Sequence, residues 1–327
     1  MISQLSIKNF KSIRNLEIDC KKINLFIGEP NTGKSNILEA MGLLSWCCYL
    51  NNIKGYVRFQ GLQNLFYDDL VDRVLQVSTA PIGACISIEL KNNRFLVSKQ
   101  AGKSNPHPVA QFNDYTGNAL SSSASASELQ FIKFYRFVRK ESFPGQPSSF
   151  LMPPDGNNMF SVVNGSQDHR DLMKEFFKKY DLSLVRKPQE NKFEVQKQVG
   201  DEIINYPYVL TSDTLQRIIF YMLAMESNKN STLVFEEPEA HAFPYYTKFL
   251  GERIAMDETN QYFIATHNPY LLMAVLEKAP KDSVNIFITY FDEFQTKVRK
   301  IQESEMPALV DSDPFFNLNA YFEEAGK

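Results

Sequence analysis

One octapeptide near the start of the chain constrains its fold more than any other feature. Residues 28–35 read GEPNTGKS and fit the pattern G-x-x-x-x-G-K-[ST]. Residues 23–27 before it are largely apolar, as in a buried strand, and Ile37, Met41 and Leu44 after it share one helical face. The sequence therefore predicts a strand, a phosphate-binding loop and a helix. The alternative is a glycine-rich turn that precedes an unrelated helix.

Each residue type in this loop suits phosphate chemistry. The two glycines let the backbone curl so that successive N–H groups point at one anion, and the helix beginning at Lys34 adds its positive end. Lys34 is expected to reach the β- and γ-phosphates, and Ser35 to ligate magnesium. The predicted nucleotide-binding residues here are Gly28, Asn31, Thr32, Gly33, Lys34, Ser35 and Asn36.

Composition supports an ordinary globular protein. The 327 residues are 43% apolar, enough for one large or two ordinary domains with a substantial core. A net charge of −3 gives no general attraction to nucleic acid or anionic membrane. The four cysteines show no C-x-x-C spacing, and no segment resembles a secretion signal or a run of about 20 apolar residues. We expect a cytoplasmic protein that does not enter a membrane.

The N-terminal segments resemble those of a known family. Residues 7–13 (IKNFKSI), 16–18 (LEI) and 35–40 (SNILEA) are similar to the opening of ATPase heads of the SMC/RecF/OLD (overcoming lysogenization defect) group, which are ABC-type ATPases. The resemblance covers residues 1–50 and roughly 205–275. It implies an α/β P-loop NTPase fold with a β-rich N-terminal part and an inserted α/β lobe, and it implies ATP and Mg²⁺ as cofactors.

A second motif carries two adjacent carboxylates. Residues 232–239 (TLVFEEPE) form an apolar strand that ends in Glu236 and Glu237, the form of a Walker B motif. The first carboxylate should hold magnesium through water, and the second should polarise the attacking water. Most ABC-type ATPases have Asp at the first position, where this chain has Glu236. The simpler alternative is solvated charge at a strand end.

A third motif ends in a histidine. Residues 262–267 (YFIATH) read as a buried strand ending at His267, followed by Asn268 as a helix N-cap and Pro269 in the first turn. The resemblance implies that His267 is the switch histidine, a catalytic residue that contacts the γ-phosphate. The alternative is a structural histidine.

Two further residues are candidates by position within the resembled family. Ser212 precedes an apolar helix where the family places its signature, which completes the nucleotide site of the opposite subunit in a dimer. The usual glycine is replaced by Asp213 and Thr214, and plain N-capping is the alternative role. Gln63 is the candidate magnesium-sensing glutamine, and a solvated turn glutamine is the alternative.

The middle of the chain is less informative. The segment near residues 100–129 is rich in Ser, Asn, Ala, Gly and Pro, which predicts a mobile surface insertion. Residues 131–140 then interleave aromatic and basic side chains, as in a nucleic-acid platform. An amphipathic strand with one buried aromatic face is the simpler interpretation.

These features predict a single head with two lobes. Residues 1–50 and 205–327 should form the P-loop ATPase lobe, and residues 51–204 the inserted lobe. The function implied is ATP hydrolysis in a homodimer that sandwiches ATP and gates DNA maintenance or anti-phage defence. The roughly 50 residues after Leu276 are too few for a nuclease domain, so a nuclease or other effector would be a separate chain, with DNA a further possible partner.

Two other functions remain to be weighed against ATP-driven gating. A nucleotide-sensing interaction module would bind ATP, turn it over barely or not at all, and hold a partner protein. A P-loop GTPase is disfavoured because the sequence contains no N-K-x-D motif for reading the base.

Overall fold

The computed structural model describes residues 1–102, 104–112, 119–122, 127–306, 309 and 315, which form sixteen strands and six α-helices. The strands are β1 (Gln4–Phe10), β2 (Ile13–Asp19), β3 (Ile23–Ile27), β4 (Leu75–Ala80), β5 (Ala84–Lys91), β6 (Arg94–Ala101), β7 (His107–Phe112), β8 (Ala119–Ser122), β9 (Ile132–Tyr135), β10 (Ser183–Lys187), β11 (Lys192–Val199), β12 (Glu202–Pro207), β13 (Thr232–Glu236), β14 (Gln261–Ala265), β15 (Val284–Asp292) and β16 (Gln295–Lys300). The helices are α1 (Lys34–Tyr49), α2 (Met159–Gly165), α3 (Gln167–Lys178), α4 (Asp213–Glu226), α5 (Pro244–Met256) and α6 (Pro269–Lys278).

A six-stranded sheet forms the centre of the molecule. Its order is β16-β15-β3-β14-β13-β9, and all its strands are parallel except β16, which pairs antiparallel with β15. Every residue of β3 and β14 is buried, as expected for parallel strands covered on both faces. Because parallel strands end at the same edge, the segments that follow β3, β13 and β14 lie side by side.

A second sheet covers one side of α1. It has seven strands in the order β2-β1-β4-β5-β6-β7-β8, all antiparallel. Helix α1 contacts β9, β13 and β14 of the central sheet and β1, β4 and β5 of this one. Twelve of its sixteen residues are buried, because the helix lies between two sheets and has little surface left for water.

The third sheet, β10-β11-β12, is a pair of antiparallel hairpins. Aromatic rings join it to α2 and α3. The ring of Phe193 on β11 lies 5.1 Å from that of Phe160 and 5.8 Å from that of Tyr208, and Phe177 packs against Tyr208. This cluster is continuous with the core on the α4 side of the central sheet.

The sheets do not follow the predicted division into residues 1–50 with 205–327 and residues 51–204. Strands from this middle region occur in all three sheets. Strands β4–β8 extend the β1–β2 hairpin, β9 forms an edge of the central sheet, and β10 and β11 pair with β12 in the separate third sheet. The reason is that β1 and β13 each have an open edge, which β4 and β9 complete by backbone pairing. Local patterns cannot reveal such long-range pairing.

The polar segment near 100–129 is partly built into the second sheet. Residues 107–112 and 119–122 pair as β7 and β8, and Val109, Ala110 and Phe112 are buried. These paired strands differ from the predicted mobile insertion, because Val109, Ala110 and Phe112 pack in the core. Residues 103, 113–118 and 123–126 lie outside the described residues.

The aromatic and basic stretch 131–140 contains the edge strand β9. Phe134 and Tyr135 are fully buried, on opposite faces of that strand, and Lys133 is only 6% exposed. The Lys133 ammonium donates to Asn228 Oδ1 and, over 3.3 Å, to Ser231 Oγ. The rings have no free face for a base, so a stacking platform on β9 is wrong. The simpler prediction, an amphipathic strand with one buried aromatic face, is also wrong, because all four residues of β9 are buried and both of its faces are therefore covered.

Candidate functional site

The β15–β16 hairpin packs against the phosphate-binding loop and leaves no space for a side chain at either of its two glycines. Gly28 has a φ of 146°, and a Cβ there would lie 2.4 Å from the Thr289 carbonyl oxygen. Gly33 has a φ of 96°, and its Cβ would lie 1.9 Å from Thr296 Oγ1. Both positions combine a left-handed backbone with no space for a side chain, so only glycine fits.

Threonine hydroxyls fasten this loop to the hairpin. Thr32 Oγ1 lies 2.8 Å from Thr289 Oγ1, and Thr296 Oγ1 donates to the Thr32 carbonyl over 3.0 Å. Ser12 Oγ, in the turn after β1, lies 2.6 Å from Thr296 Oγ1 and accepts from Asn36 Nδ2 over 2.7 Å. Asn36 therefore holds the framework together, and the loop is shaped before any anion arrives.

Gly33→Ala should abolish nucleotide binding, because the methyl group would displace Thr296 and the left-handed backbone would be strained by roughly 1–2 kcal/mol. Isothermal calorimetry with ATP and magnesium would measure the loss. Gly165→Ala is the matched control, since a Cβ there meets nothing within 4 Å. Equal ATP affinity in both variants would show that the loop does not need its glycine.

The charge of the loop is held by Lys34, the first residue of α1. Its ammonium donates to the Gly28 carbonyl over 2.8 Å and to the Glu29 carbonyl over 2.7 Å, and the residue is 5% exposed. Burial lowers the pKa of Lys34 to about 8, although Glu237 and Glu29 oppose that change. The group is therefore a poorly solvated cation, which gains much from an arriving phosphate.

The other loop residues named by the motif lie around this lysine. Ser35 follows it in the first turn of α1 and is half-buried. Its hydroxyl oxygen is a ligand type that suits magnesium, a hard cation. Asn31 is exposed and has a φ of 62°, at the outer rim of the loop. The first turn of α1 thus carries a hydroxyl and a buried cation, and the start of a helix leaves backbone N–H groups for an anion. This set of residues fits a magnesium-bound triphosphate.

The first Walker B carboxylate, Glu236, belongs to a cluster that sequence reasoning missed. Arg58 Nη2 donates to its Oε1 over 2.8 Å and Arg136 Nε to its Oε2 over 2.9 Å. Both guanidinium groups also contact Glu39 Oε1, at 2.7 and 3.0 Å, and Lys11 pairs with Oε2 of the same carboxylate. Glu39 is completely buried in α1 and is the centre of this cluster.

This cluster bears on the metal role predicted for Glu236. Both of its oxygens accept from guanidinium groups, so a magnesium ion or its water would share them with Arg58 and Arg136. Arg58 is the more exposed partner, with 59% of its side chain accessible against 21% for Arg136. Glu39 itself could have been found, because an acidic residue on an otherwise apolar helical face needs buried partners.

The second carboxylate, Glu237, lies directly against His267. Glu237 Oε1 is 3.3 Å from His267 Nε2, and the Glu237 N–H donates to the Ala265 carbonyl over 3.0 Å at a φ of 44°. The His267 hydrogen bond, the His267 charge and the charges of Lys34 and Arg58 lower the pKa of Glu237. The structure thus brings an ionised carboxylate and an imidazole together beside the phosphate loop, and strained backbone of this kind clusters at functional sites.

Glu239 is a buried carboxyl group behind His267 that the sequence did not single out. Thr266 Oγ1 donates to its Oε1, and the His267 N–H approaches the same oxygen at 3.3 Å. Its Oε2 has no hydrogen-bond partner in the described part of the chain. Burial raises the pKa of Glu239 to about 7. This group fixes the backbone from which His267 projects.

Glu239 should make stability fall as pH rises from about 4.5 to 7. The native carboxyl keeps its proton up to about pH 7, whereas the unfolded chain releases it near the ordinary glutamate pKa of 4.5. A difference of this size is worth about 3 kcal/mol, and it destabilises the native state fully above pH 7. Urea denaturation between pH 4 and 8 should show this fall in the wild type and its absence in Glu239→Gln. Parallel curves would contradict the assignment.

Two predicted residues are not placed against this loop. Ser212 is exposed before α4; its carbonyl accepts from the Gln216 N–H over 3.1 Å, but its hydroxyl makes no capping bond, so the N-capping alternative is wrong. Gln63 lies in the short turn Leu62–Leu65, with its amide over Gly61 and its Oε1 buried without a partner among the described residues. Both roles stay predictions.

Comparisons with known proteins agree on the class of domain. Residues 1–68 match the family described as AAA ATPase domain. An "ATP/GTP phosphatase" of Helicobacter pylori (strain ATCC 700392 / 26695) is 50% identical over 42 residues, which are 12% of this chain and 11% of that protein. The matched stretch thus spans about a tenth of that relative.

Solved structures are similar over nearly the whole chain. An SmcHead bound to the C-winged helix domain of ScpA has a TM-score of 0.54 at 14% identity and covers 93% of this chain and 99% of that one. An Smc head domain with an extended coiled coil, bound to the C-terminal domain of ScpA and derived from Pyrococcus furiosus, has a TM-score of 0.54 at 12% identity and covers 95% and 98%.

These likenesses concern the fold. Among the described residues, no helix is long and apolar enough to cross a bilayer. The AAA ATPase domain match includes the phosphate loop, and the likeness to SMC heads extends over nearly the whole chain. Both comparisons therefore indicate the same class of domain. The chain therefore has the α/β fold of SMC head domains, and its phosphate-loop segment matches an AAA ATPase domain.

Proposed function

We propose that this chain binds ATP with magnesium and hydrolyses it to ADP and phosphate. The observation that carries the proposal is the placement of Lys34 after β3, Glu237 after β13 and His267 after β14, three strand ends that are neighbours at one sheet edge. A cation that binds the phosphates and a side chain that orients the attacking water are recurring parts of sites that transfer a phosphoryl group to water, and a carboxylate can also accept the proton of that water.

The protein's own residues have separate tasks in this reaction. Lys34 and the first turn of α1 would bind the phosphates, and Ser35 and Glu236 would hold magnesium, which supplies charge neutralisation at the phosphate oxygens. Glu237 would orient the attacking water and accept its proton, since its lowered pKa keeps it ionised. His267, 3.3 Å away, would stabilise charge on the γ-phosphate while holding Glu237 in place.

His267→Ala should preserve ATP binding but lower kcat by about 10²–10³, because one stabiliser of transition-state charge is removed. Steady-state phosphate release and calorimetric ATP affinity would measure the two effects. His107→Ala, an exposed histidine at the start of β7, is the matched control. An unchanged kcat would return His267 to a structural role.

We further propose that ATP closes a homodimer and that this cycle gates DNA maintenance or anti-phage defence with a separate effector. The support is the exposed Ser212 at the N-terminus of α4, whose hydroxyl makes no capping bond to that helix. Thr214 Oγ1 donates to the His241 carbonyl over 2.8 Å, which ties this helix end to the loop after Glu237. Both similar head structures are bound to a domain of another protein, ScpA, which supports a partner protein for this chain.

The second candidate function, a nucleotide sensor with little turnover, is favoured by one observation. Both oxygens of Glu236 are engaged by Arg58 and Arg136, which lowers the charge it offers to magnesium. A sensor would bind ATP with full affinity but release no more phosphate than its Glu237→Gln variant. A clear difference in turnover between the two proteins would select the ATPase.

A further inference from the structure

The order of the central sheet restricts where a nucleotide base could lie. Glu237 and His267 follow β13 and β14, which lie on one side of β3. In the proposed ATPase the γ-phosphate points to that side. The phosphate loop follows β3, so the opposite end of the nucleotide must extend away from β14. On that side β3 pairs with β15, and β15 pairs with β16. The pairing of β15 with β3 ends at Ile288, so the turn of the β15–β16 hairpin lies beyond the carboxyl end of β3.

This hairpin is attached firmly to the loop. Thr289 Oγ1 donates to the Ile27 carbonyl over 3.1 Å, and Thr296 Oγ1 donates to the Thr32 carbonyl over 3.0 Å. The turn residue Phe294 lies only two positions before Thr296, a distance of at most about 7 Å along the backbone. The tip of the hairpin is therefore held close to the phosphate loop.

Phe294 is an unusual residue for such a tip. Its side chain is 82% exposed, more than any other large apolar side chain in the described part of the chain. Glu293 and Phe294 have φ values of 48° and 60°, in a two-residue turn where Asn and Gly are preferred. An exposed ring on strained backbone improves neither packing nor turn formation.

Neighbouring contacts hold this turn in place. Lys297 Nζ donates to Asp292 Oδ2 over 2.6 Å and to Glu293 Oε2 over 3.2 Å. The Tyr67 hydroxyl, from the segment after Gln63, donates to the Phe294 carbonyl over 3.3 Å. The Phe294 carbonyl is thus held by Tyr67 and the two residues before it by Lys297, while Phe294 itself stays 82% exposed.

We propose that the Phe294 ring is the platform on which the base of the bound nucleotide stacks. The inference rests on the proposed ATP site and extends it to the base. Stacking on one aromatic ring accepts any base, because every base has a π-face. The platform would therefore contribute affinity without selecting adenine, and GTP should gain from Phe294 about as much as ATP does.

The test compares ATP with inorganic tripolyphosphate, which has the phosphates but no base. Phe294→Ala should weaken ATP binding by about tenfold or more and leave tripolyphosphate binding unchanged. Met256→Ala is the control, because it also removes an exposed apolar side chain but lies far from the loop. Met256 is 55% exposed at the end of α5, near the amino ends of the parallel strands, so ATP affinity should not change. Equal ATP affinity in wild type and Phe294→Ala would overturn the proposal.

Phe294→Trp provides a readout that does not depend on loss of function. The chain has one tryptophan, Trp46, which is 2% exposed, so a new exposed indole dominates any change on ligand addition. ATP and GTP should quench its fluorescence and tripolyphosphate should not. Identical responses to ATP and tripolyphosphate would refute stacking. Wild-type protein that binds neither ligand would instead refute the proposed function, which keeps the two failures distinct.

Discussion

Lys34→Ala is expected to remove tight ATP binding. The ammonium is buried, held by the Gly28 and Glu29 carbonyls at 2.8 and 2.7 Å, and would exchange them for phosphate oxygens. A charge-assisted contact of this kind in a largely enclosed site is worth about 2–4 kcal/mol, or roughly 30- to 700-fold in affinity. Calorimetry at a fixed magnesium concentration would measure the loss.

The control for this variant is Lys229→Ala, an exposed lysine just before β13 and thus at the opposite edge of the central sheet. Circular dichroism should first show that both variants are folded, because Lys34 also bridges two carbonyls of the loop. Near-wild-type ATP affinity in folded Lys34→Ala would remove the phosphate-loop assignment, and with it the proposed function.

Glu237→Gln is expected to bind ATP without turning it over and to hold two heads together. The amide keeps the shape and hydrogen-bonding reach of the side chain but cannot accept a proton from water. Loss of this general base should lower kcat by about 10²–10⁴. Light scattering at saturating ATP and magnesium should then show a dimer, provided that the protein is monomeric without nucleotide.

The dimer can be tested from its other side through Ser212. Its exposed hydroxyl at the N-terminus of α4 would face the nucleotide of the second head. Ser212→Arg in the Glu237→Gln background should therefore return the protein to monomers by crowding that site. A Glu237→Gln protein that stays monomeric with ATP, or wild-type turnover per molecule that is independent of concentration in a monomeric protein, would contradict the proposed dimer.

The pairing of Glu237 with His267 explains why these two residues should be altered separately. Each lies at the end of its own strand, and the His267 hydrogen bond is the largest influence that lowers the pKa of Glu237. His267→Ala would thus also weaken the ionisation of Glu237. The effect of the double variant should be smaller than the product of the two single effects, as is usual for groups that act as a unit.

The local motifs were visible in the sequence because their chemistry is local. A phosphate loop needs two glycines, a lysine and a hydroxyl at set spacings, and residues 28–35 supply them. The strands ending at Glu236 and at Ala265, just before His267, were predicted from continuous apolar runs, which is how buried parallel strands read. The α/β P-loop fold class was what the resemblance of residues 1–50 and roughly 205–275 to ATPase heads of the SMC/RecF/OLD group implied.

Only the tertiary structure decided what surrounds these motifs. Glu39, Arg58, Arg136 and Glu236 meet across sequence separations of 19 to 178 residues, and the β15–β16 hairpin closes under the loop from more than 250 residues away. Such contacts depend on which strand pairs with which edge, and backbone pairing leaves no periodic pattern in the sequence. The sequence by itself therefore determined the phosphate-loop motif and the strand ends that carry Glu237 and His267, while chain topology decided the guanidinium partners of Glu236, the burial of Glu239 and the position of Phe294.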